Sequence, residues 1–120
     1  MSHPSPGRIG AVAEDRAAEF LQSQGLRLLQ RNFRCRLGEI DLIMQDGADL
    51  VFVEVRSRSN AGYGSAVETI GPRKRQRVAR AAALYLQRNP AAARANCRFD
   101  VVAMDGARLQ WVRGAFGATD

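Results

Sequence analysis

Gly38-Glu39-Ile40-Asp41-Leu42-Ile43, followed after a short break by Val51-Phe52-Val53-Glu54-Val55-Arg56, decides how this chain is read. Both stretches have the β-branched and apolar content of strands, and each carries a carboxylate inside its apolar run. An ionised carboxylate is costly to bury unless it is paired, hydrogen-bonded or bound to a metal. Two of them on successive strands point to a site for a divalent cation, and so to phosphodiester chemistry. Asp46-Gly47 between the strands is a hairpin signal. With Gln45 facing Leu50, Asp41 falls directly opposite Glu54, whereas a tighter turn makes them diagonal neighbours on one face. Alternation puts Leu50, Phe52, Glu54 and Arg56 on one face of the later strand, and Glu39, Asp41 and Ile43 on one face of the earlier.

Working outward, Ile9 to Gln24 reads as a helix with Ala13, Ala17, Phe20 and Leu21 as its inner stripe and Gly25 as its stop. Glu14 lies beside that stripe, while Glu19 belongs to the outer face. Leu26 to Cys35, Gly38 to Gln45 and Leu50 to Ser57 read as strands. The last is so continuously apolar that it predicts a central strand buried on both faces. Ser59 to Ser65 reads as a mobile loop. Pro72 to Arg88 reads as a second helix, ended by Asn89-Pro90. Cys97 to Met104 and Arg108 to Val112 are two further strands joined across Asp105-Gly106. The expected fold is α/β: a single layered domain, with a mixed β-sheet of about five strands flanked by helices.

A chain of 120 residues, 46% hydrophobic and 25% charged, suits one ordinary globular domain with its own core. No stretch approaches the ~20 apolar residues of a membrane span, so no membrane partner is expected. The first eight residues have no apolar signal core, which predicts a cytoplasmic protein. His3 in that stretch is a poor ligand or base. Cys35 and Cys97 have no metal-ligand spacing and read as reduced structural thiols.

The net charge of +6 favours an anionic partner, most often nucleic acid. Of eighteen basic residues only Lys74 is a lysine, a bias that a GC-rich genome would also produce. In the second helix Lys74, Val78, Ala81, Ala82 and Tyr85 form one stripe, so Lys74 points inward. Arg73, Arg77 and Arg80 form another. That row can follow a phosphate backbone, though such a row is more often a solvated face.

Two carboxylates as close as Asp41 and Glu54 repel unless a cation or a proton lies between them. Mg²⁺, or Mn²⁺ in its place, suits the need, because it takes oxygen ligands from one or two carboxylates and keeps several waters. The competing reading is an Arg56–Glu54 structural ion pair with an exposed Asp41. The residues alone leave both open.

The pattern Gly10, Glu14, Ala17, Phe20-Leu21, Gly25, Arg31-Asn32, Gly38 to Ile43, Phe52 to Arg56, Lys74 and Arg98-Phe99-Asp100-Val101-Val102 resembles the YraN-like bacterial family. By similarity that family is placed in the PD-(D/E)xK nuclease superfamily, near archaeal Holliday junction resolvases. The resemblance implies a restriction-endonuclease-like core over residues 9–115, between a flexible N-terminal tail of residues 1–8 and a C-terminal tail of residues 116–120. It implies a Mg²⁺-dependent DNA endonuclease acting on branched DNA in repair or recombination. It also implies a homodimer, since a junction presents two symmetric strands.

Within that pattern Glu14 matches the helix-borne acid, and Asp41 and Glu54 match the two metal carboxylates. Arg56 stands where the superfamily has lysine. Arginine does not give up its proton, so Arg56 is a poor general base, and Lys74 is the candidate to replace the missing ammonium. The expected catalytic set is Glu14, Asp41, Glu54, Arg56 and Lys74, with Asp41 and Glu54 on the metal. Arg56, Arg58, Arg73, Lys74, Arg77 and Arg80 are the expected DNA contacts. The departure at Arg56 supports a rival, a catalytically inactive nucleic-acid-binding or adaptor protein on the same fold. Asp100 reads as structural and Glu39 as partly exposed.

Overall fold

The computed structural model describes residues 6–58 and 70–118. The loop read over Ser59–Ser65 and the first five residues of the N-terminal tail lie outside the described residues. Helix α1 (Pro6–Ser23) is followed by strands β1 (Arg27–Cys35), β2 (Gly38–Asp46) and β3 (Asp49–Arg58), helix α2 (Pro72–Arg88), and strands β4 (Cys97–Asp105) and β5 (Arg108–Phe116). A short 3-10 turn, Ala92–Arg94, precedes β4.

The five strands form one sheet in the order β1-β2-β3-β4-β5. All neighbours are antiparallel except β3 and β4, which run parallel because α2 carries the chain across between them. The result is one α/β domain with a mixed sheet and a helix on each face, consistent with a nuclease-like core.

Each helix seals its own half of the core. On one face Val78, Ala81, Ala82 and Tyr85 of α2 pack on Ile40, Ile43, Phe52, Phe99 and Val101. On the other, Ala13, Ala17, Ala18 and Leu21 of α1 pack on Leu42, Met44, Val51, Val53 and Val102. Strand β3 lies between them, and every residue from Leu50 to Glu54 is buried. This is why its sequence is apolar without alternation.

Sequence punctuation fixes most element ends. Pro72 opens α2 after the extended Gly71, and Asn89 closes it with its side-chain amide on the Tyr85 carbonyl at 2.8 Å. The β2–β3 hairpin pairs Asp46 with Asp49 and Gln45 with Leu50, the register that brings Asp41 level with Glu54.

Two ends differ from the sequence reading. Helix α1 begins at Pro6 rather than Ile9. Strand β5 continues four residues past Val112, because its register on β4 shifts between Phe99 and Val101 and Gly114 takes a φ of 59°. That kink returns Phe116 to the core, stacked on Phe99 with ring centroids 5.0 Å apart. Phe116, read as the first residue of the C-terminal tail, is therefore a buried core residue. Cys35 and Cys97 are both free thiols. Among the described residues no helix is long and apolar enough to cross a membrane.

Candidate active site

The sheet is interrupted at Asp41 on both sides. The β1–β2 pairing runs Gln30 with Ile43 and Arg31 with Leu42, then resumes at Phe33 with Ile40, leaving Asn32 and Asp41 unpaired. The β2–β3 pairing stops at Leu42 with Val53, one step short of Asp41 and Glu54. Ile40 and Ile43 both face α2, whereas Leu42 and Met44 face α1. Strict alternation of Glu39, Asp41 and Ile43 is therefore corrected: the pleat slips at Asp41. Asn32, at the same unpaired step of β1, has a φ of 52°, the only positive value at a non-glycine among the described residues.

Side chains complete the broken rungs. The Asp41 backbone N–H donates to Glu54 Oε2 at 3.3 Å, and the Val55 backbone N–H donates to Asp41 Oδ2 at 2.8 Å. Each carboxylate is thereby held by the other's strand. Glu54 is 1% exposed, and Lys74 Nζ from α2 lies 3.3 Å from its Oε1. The inward stripe of α2 is as read. The competing Arg56–Glu54 ion pair is not formed, because Lys74 takes that place and Asp41 is half-buried.

Gly38 shows why Lys74 reaches so far. A Cβ there would collide with the backbone carbonyl of Arg77, so only glycine lets the start of β2 approach α2 so closely. Arg77 is one helical turn from Lys74.

Glu14 enters from α1 on the opposite side, with its side chain 15% exposed. Arg31 lies 3.8 Å away and spends its other end on Asp15 at 2.6 Å.

All three carboxyls are pushed above their ordinary range. Burial raises Glu54 to about 7, with the charge of Asp41 adding to the rise and Lys74 opposing it. Burial likewise raises Asp41, against the Val55 N–H and Lys74, and Glu39 adds to the rise while Arg56 opposes it. Glu14 is raised by burial and then by Asp41, while Asn32 and Arg31 hold it down. Ionised together, the three carboxylates would carry more negative charge than Lys74 neutralises, an excess that a proton or a second cation would relieve.

The donor set fits a hard divalent ion. All the candidate ligands are carboxylate oxygens, which favour Mg²⁺ or Mn²⁺ over softer metals. Among the described residues no three His, Cys, Asp or Glu side chains close into a metal-sized cage. A cation at Asp41 and Glu54 would therefore complete its shell from water or substrate, as Mg²⁺ commonly does.

Arg56 is half-buried beside Asp41, and its Nε, shielded from solvent, has no hydrogen-bond partner among the described residues. Arg73, Arg77 and Arg80 lie on the exposed face of α2. The side chain of Arg58 lies outside the described residues. Glu39 is 45% exposed and pairs with Arg34 at 3.3 Å. Asp100 is fully buried and structural: it accepts from Arg98, from the Trp111 indole at 2.9 Å and from the Gly114 N–H at 3.0 Å.

Asn32, unpaired at the step of Asp41, is the residue beside the site that the sequence reading left without a role. Asn-rich occupancy of positive φ is the only signal that could have drawn attention to it.

The profile of the uncharacterised protein family UPF0102 matches residues 13–104. A UPF0102 protein of Alkalilimnicola ehrlichii is 58% identical over 98% of this chain and 94% of its own length. One from Halorhodospira halophila is 56% identical over 92% of this chain and 88% of its own, and one from Pseudomonas putida strain GB-1 is 50% identical over 97% and 98%.

Proposed function

The chain belongs to the uncharacterised protein family UPF0102, the YraN-like family that its motifs resemble, and on that premise we propose that it is a Mg²⁺- or Mn²⁺-dependent DNA endonuclease. Its expected substrate class is branched DNA of repair or recombination, and a homodimer would match the two-fold symmetry of a junction. One observation carries the reading: buried Glu54 and half-buried Asp41 are linked where the sheet is interrupted, with Lys74 as the counter-ion of Glu54. A module that only binds nucleic acid gains nothing from carboxylates directed at phosphate.

Asp41 and Glu54 would hold the cation. Its chemistry there is to lower the pKa of a bound water and neutralise charge on the scissile phosphate. Lys74 neutralises Glu54 and, as an ammonium, can orient a water or contact a phosphate oxygen. Arg56 keeps its charge throughout, and its free Nε–H suits a phosphate oxygen better than a proton-transfer role. Glu14 sets the negative field that favours the cation and can hold one of its waters.

Arg56 at the superfamily's lysine position favours a second reading, a scaffold that binds nucleic acid without cutting it. The test is to incubate purified protein with four-way, flap, single-stranded and linear DNA in Mg²⁺ or Mn²⁺. Asp41→Asn, Glu54→Gln and Lys74→Ala variants are run alongside. Cleavage abolished in the first two supports the enzyme. Cleavage at full rate in Lys74→Ala removes Lys74 from the mechanism, and binding without cleavage in either metal establishes the scaffold.

A further inference from the structure

On the α2 face of the sheet, the parallel pair β3–β4 runs on past the helix. Glu54 stands level with Val101, and there Lys74, in the first turn of α2, meets the strand. Further along the same face, Arg56 stands level with Ala103, and Ala103 with Gln110 of β5. Beyond them Asp105 stands level with Arg108. Phe99 and Val101 belong to the core beneath α2, whereas Ala103, though only 4% exposed, belongs to neither apolar core. The carboxyl ends of parallel strands are where open α/β sheets bind ligands.

This end holds a recess of about 400 Å³ lined by Ala103, Asp105, Arg108, Leu109 and Gln110, a size typical of small-molecule sites. Asp105 Oδ1 is shielded from solvent and has no hydrogen-bond partner among the described residues. A buried carboxylate oxygen without a donor is destabilising, and a ligand can supply what the chain does not. Arg108 stands opposite on β5 without pairing with that oxygen. The turn after Asp105 is held in place, since Arg16 Nη1 of α1 donates to the Gly106 carbonyl at 3.1 Å.

The lining selects the donor. Phosphate is disfavoured beside an acceptor-only carboxylate, whereas an amino group suits it. Gln110 adds an amide that can both donate and accept, and the exposed Arg108 guanidinium can stack on a flat ring. A flat ring with an amino group is a nucleobase, and acidic side chains accept from the N4 amino group of cytosine. Thymine presents carbonyl oxygen in its place, which a carboxylate repels. Neighbouring strands lie ~4.8 Å apart, so a nucleotide whose phosphate rests on Arg56 has its base within reach of the recess beside Ala103.

We propose that this recess receives an unpaired base of the DNA strand, cytosine in preference to thymine, with Asp105 accepting from its amino group. The inference rests on the DNA-directed reading above and adds a base preference to it. A base inside a duplex does not present that edge, so the recess selects strands that are open at a branch.

Fluorescence anisotropy in chelator tests this without reference to cleavage. Labelled flap DNA carries cytosine, thymine or abasic residues as its first unpaired nucleotides, and is titrated with wild type and Asp105→Asn. The wild type should bind the cytosine flap about tenfold more tightly than the thymine or abasic flap, the scale of one well-made side-chain–base pair. Asparagine keeps the shape of aspartate, and its amide can donate to a carbonyl oxygen. Asp105→Asn should therefore bring cytosine and thymine level, with the melting temperature unchanged.

Equal wild-type affinity for all the flaps, or a cytosine preference that survives in Asp105→Asn, overturns the recess and leaves the metal site standing. Deoxycytidine monophosphate that competes as well as the flap makes this a free-nucleotide site and likewise overturns the proposal. A wild type that binds no DNA at low salt overturns the DNA-directed reading and the recess with it.

Discussion

Glu54 is the side chain whose proton should report the state of the whole site. Its carboxyl is raised to about 7 in the folded protein by burial and by Asp41, against an ordinary value of 4.5. Between those two values the folded chain holds a proton that the unfolded chain has released. Stability from this group is therefore full below about 4.5, declines as pH rises and is lost above 7. At ~1.4 kcal/mol per pH unit, the loss is on the order of 3 kcal/mol. Asp41 and Glu14 shift in the same direction and steepen the trend. Urea unfolding in chelator should give a higher midpoint at pH 5 than at pH 8, and Glu54→Gln should flatten the difference. Millimolar Mg²⁺ should restore stability at pH 8 by mass action. A wild-type midpoint that is level across this window would mean Glu54 is ionised throughout.

At the scale of elements, the site depends on how closely β2 and α2 approach. Gly38→Ala places a methyl group against the Arg77 carbonyl, and neither is a flexible side chain that could yield. The strand or helix must shift, at a cost of about 1–3 kcal/mol. The shift also withdraws Lys74 from Glu54, so the pH at which stability falls should move with the melting temperature. A drop in melting temperature with that midpoint unchanged would separate Gly38 from the site.

The other end of the sheet is tied by Asp100, which joins Arg98 of its own strand to the β5 kink. Asp100→Ala should cost about 3–5 kcal/mol by leaving buried donors unpaired, and should leave metal affinity alone. These elements were unequally legible. Pro72 and Asn89-Pro90 punctuate α2 locally, so its span could be read at both ends. The hairpin register followed from Asp46-Gly47, which made the Asp41–Glu54 pairing readable. The length of β5 was not readable, because Phe116 belongs to the strand through its stacking on Phe99, a contact between distant parts of the chain. The slip at Asp41 was equally hidden, since alternation rules assume an unbroken ladder and the β1–β2 pairing skips Asn32 and Asp41.

Over the whole molecule, the +6 charge is not evenly available to a partner. Arg98 is consumed inside the fold by Asp46 at 2.8 Å, Asp49 at 3.6 Å and Asp100 at 3.1 Å, and Arg31 by Asp15. Arg73, Arg77 and Arg80 instead line the exposed face of α2. Arg36 is exposed on the β1–β2 hairpin that Gly38 presses against the same helix, while Arg34 beside it is paired with Glu39 at 3.3 Å. Part of the exposed positive charge therefore runs along α2 beside the carboxylates, on one route by which a phosphate backbone would reach the site. Each phosphate contact contributes a salt dependence of ~0.9 in the slope of log affinity against log salt concentration. Replacing Arg73, Arg77 and Arg80 together with glutamine should make that slope shallower by about 2–3, with the melting temperature unchanged because all three side chains are exposed. Arg98→Gln carries the same charge change per residue, yet it should lower the melting temperature and leave the slope where it was. Fluorescence anisotropy of labelled DNA between low and physiological salt reads both. If the triple variant keeps the full slope, the backbone takes another route across the protein, and overall charge was never a guide to it.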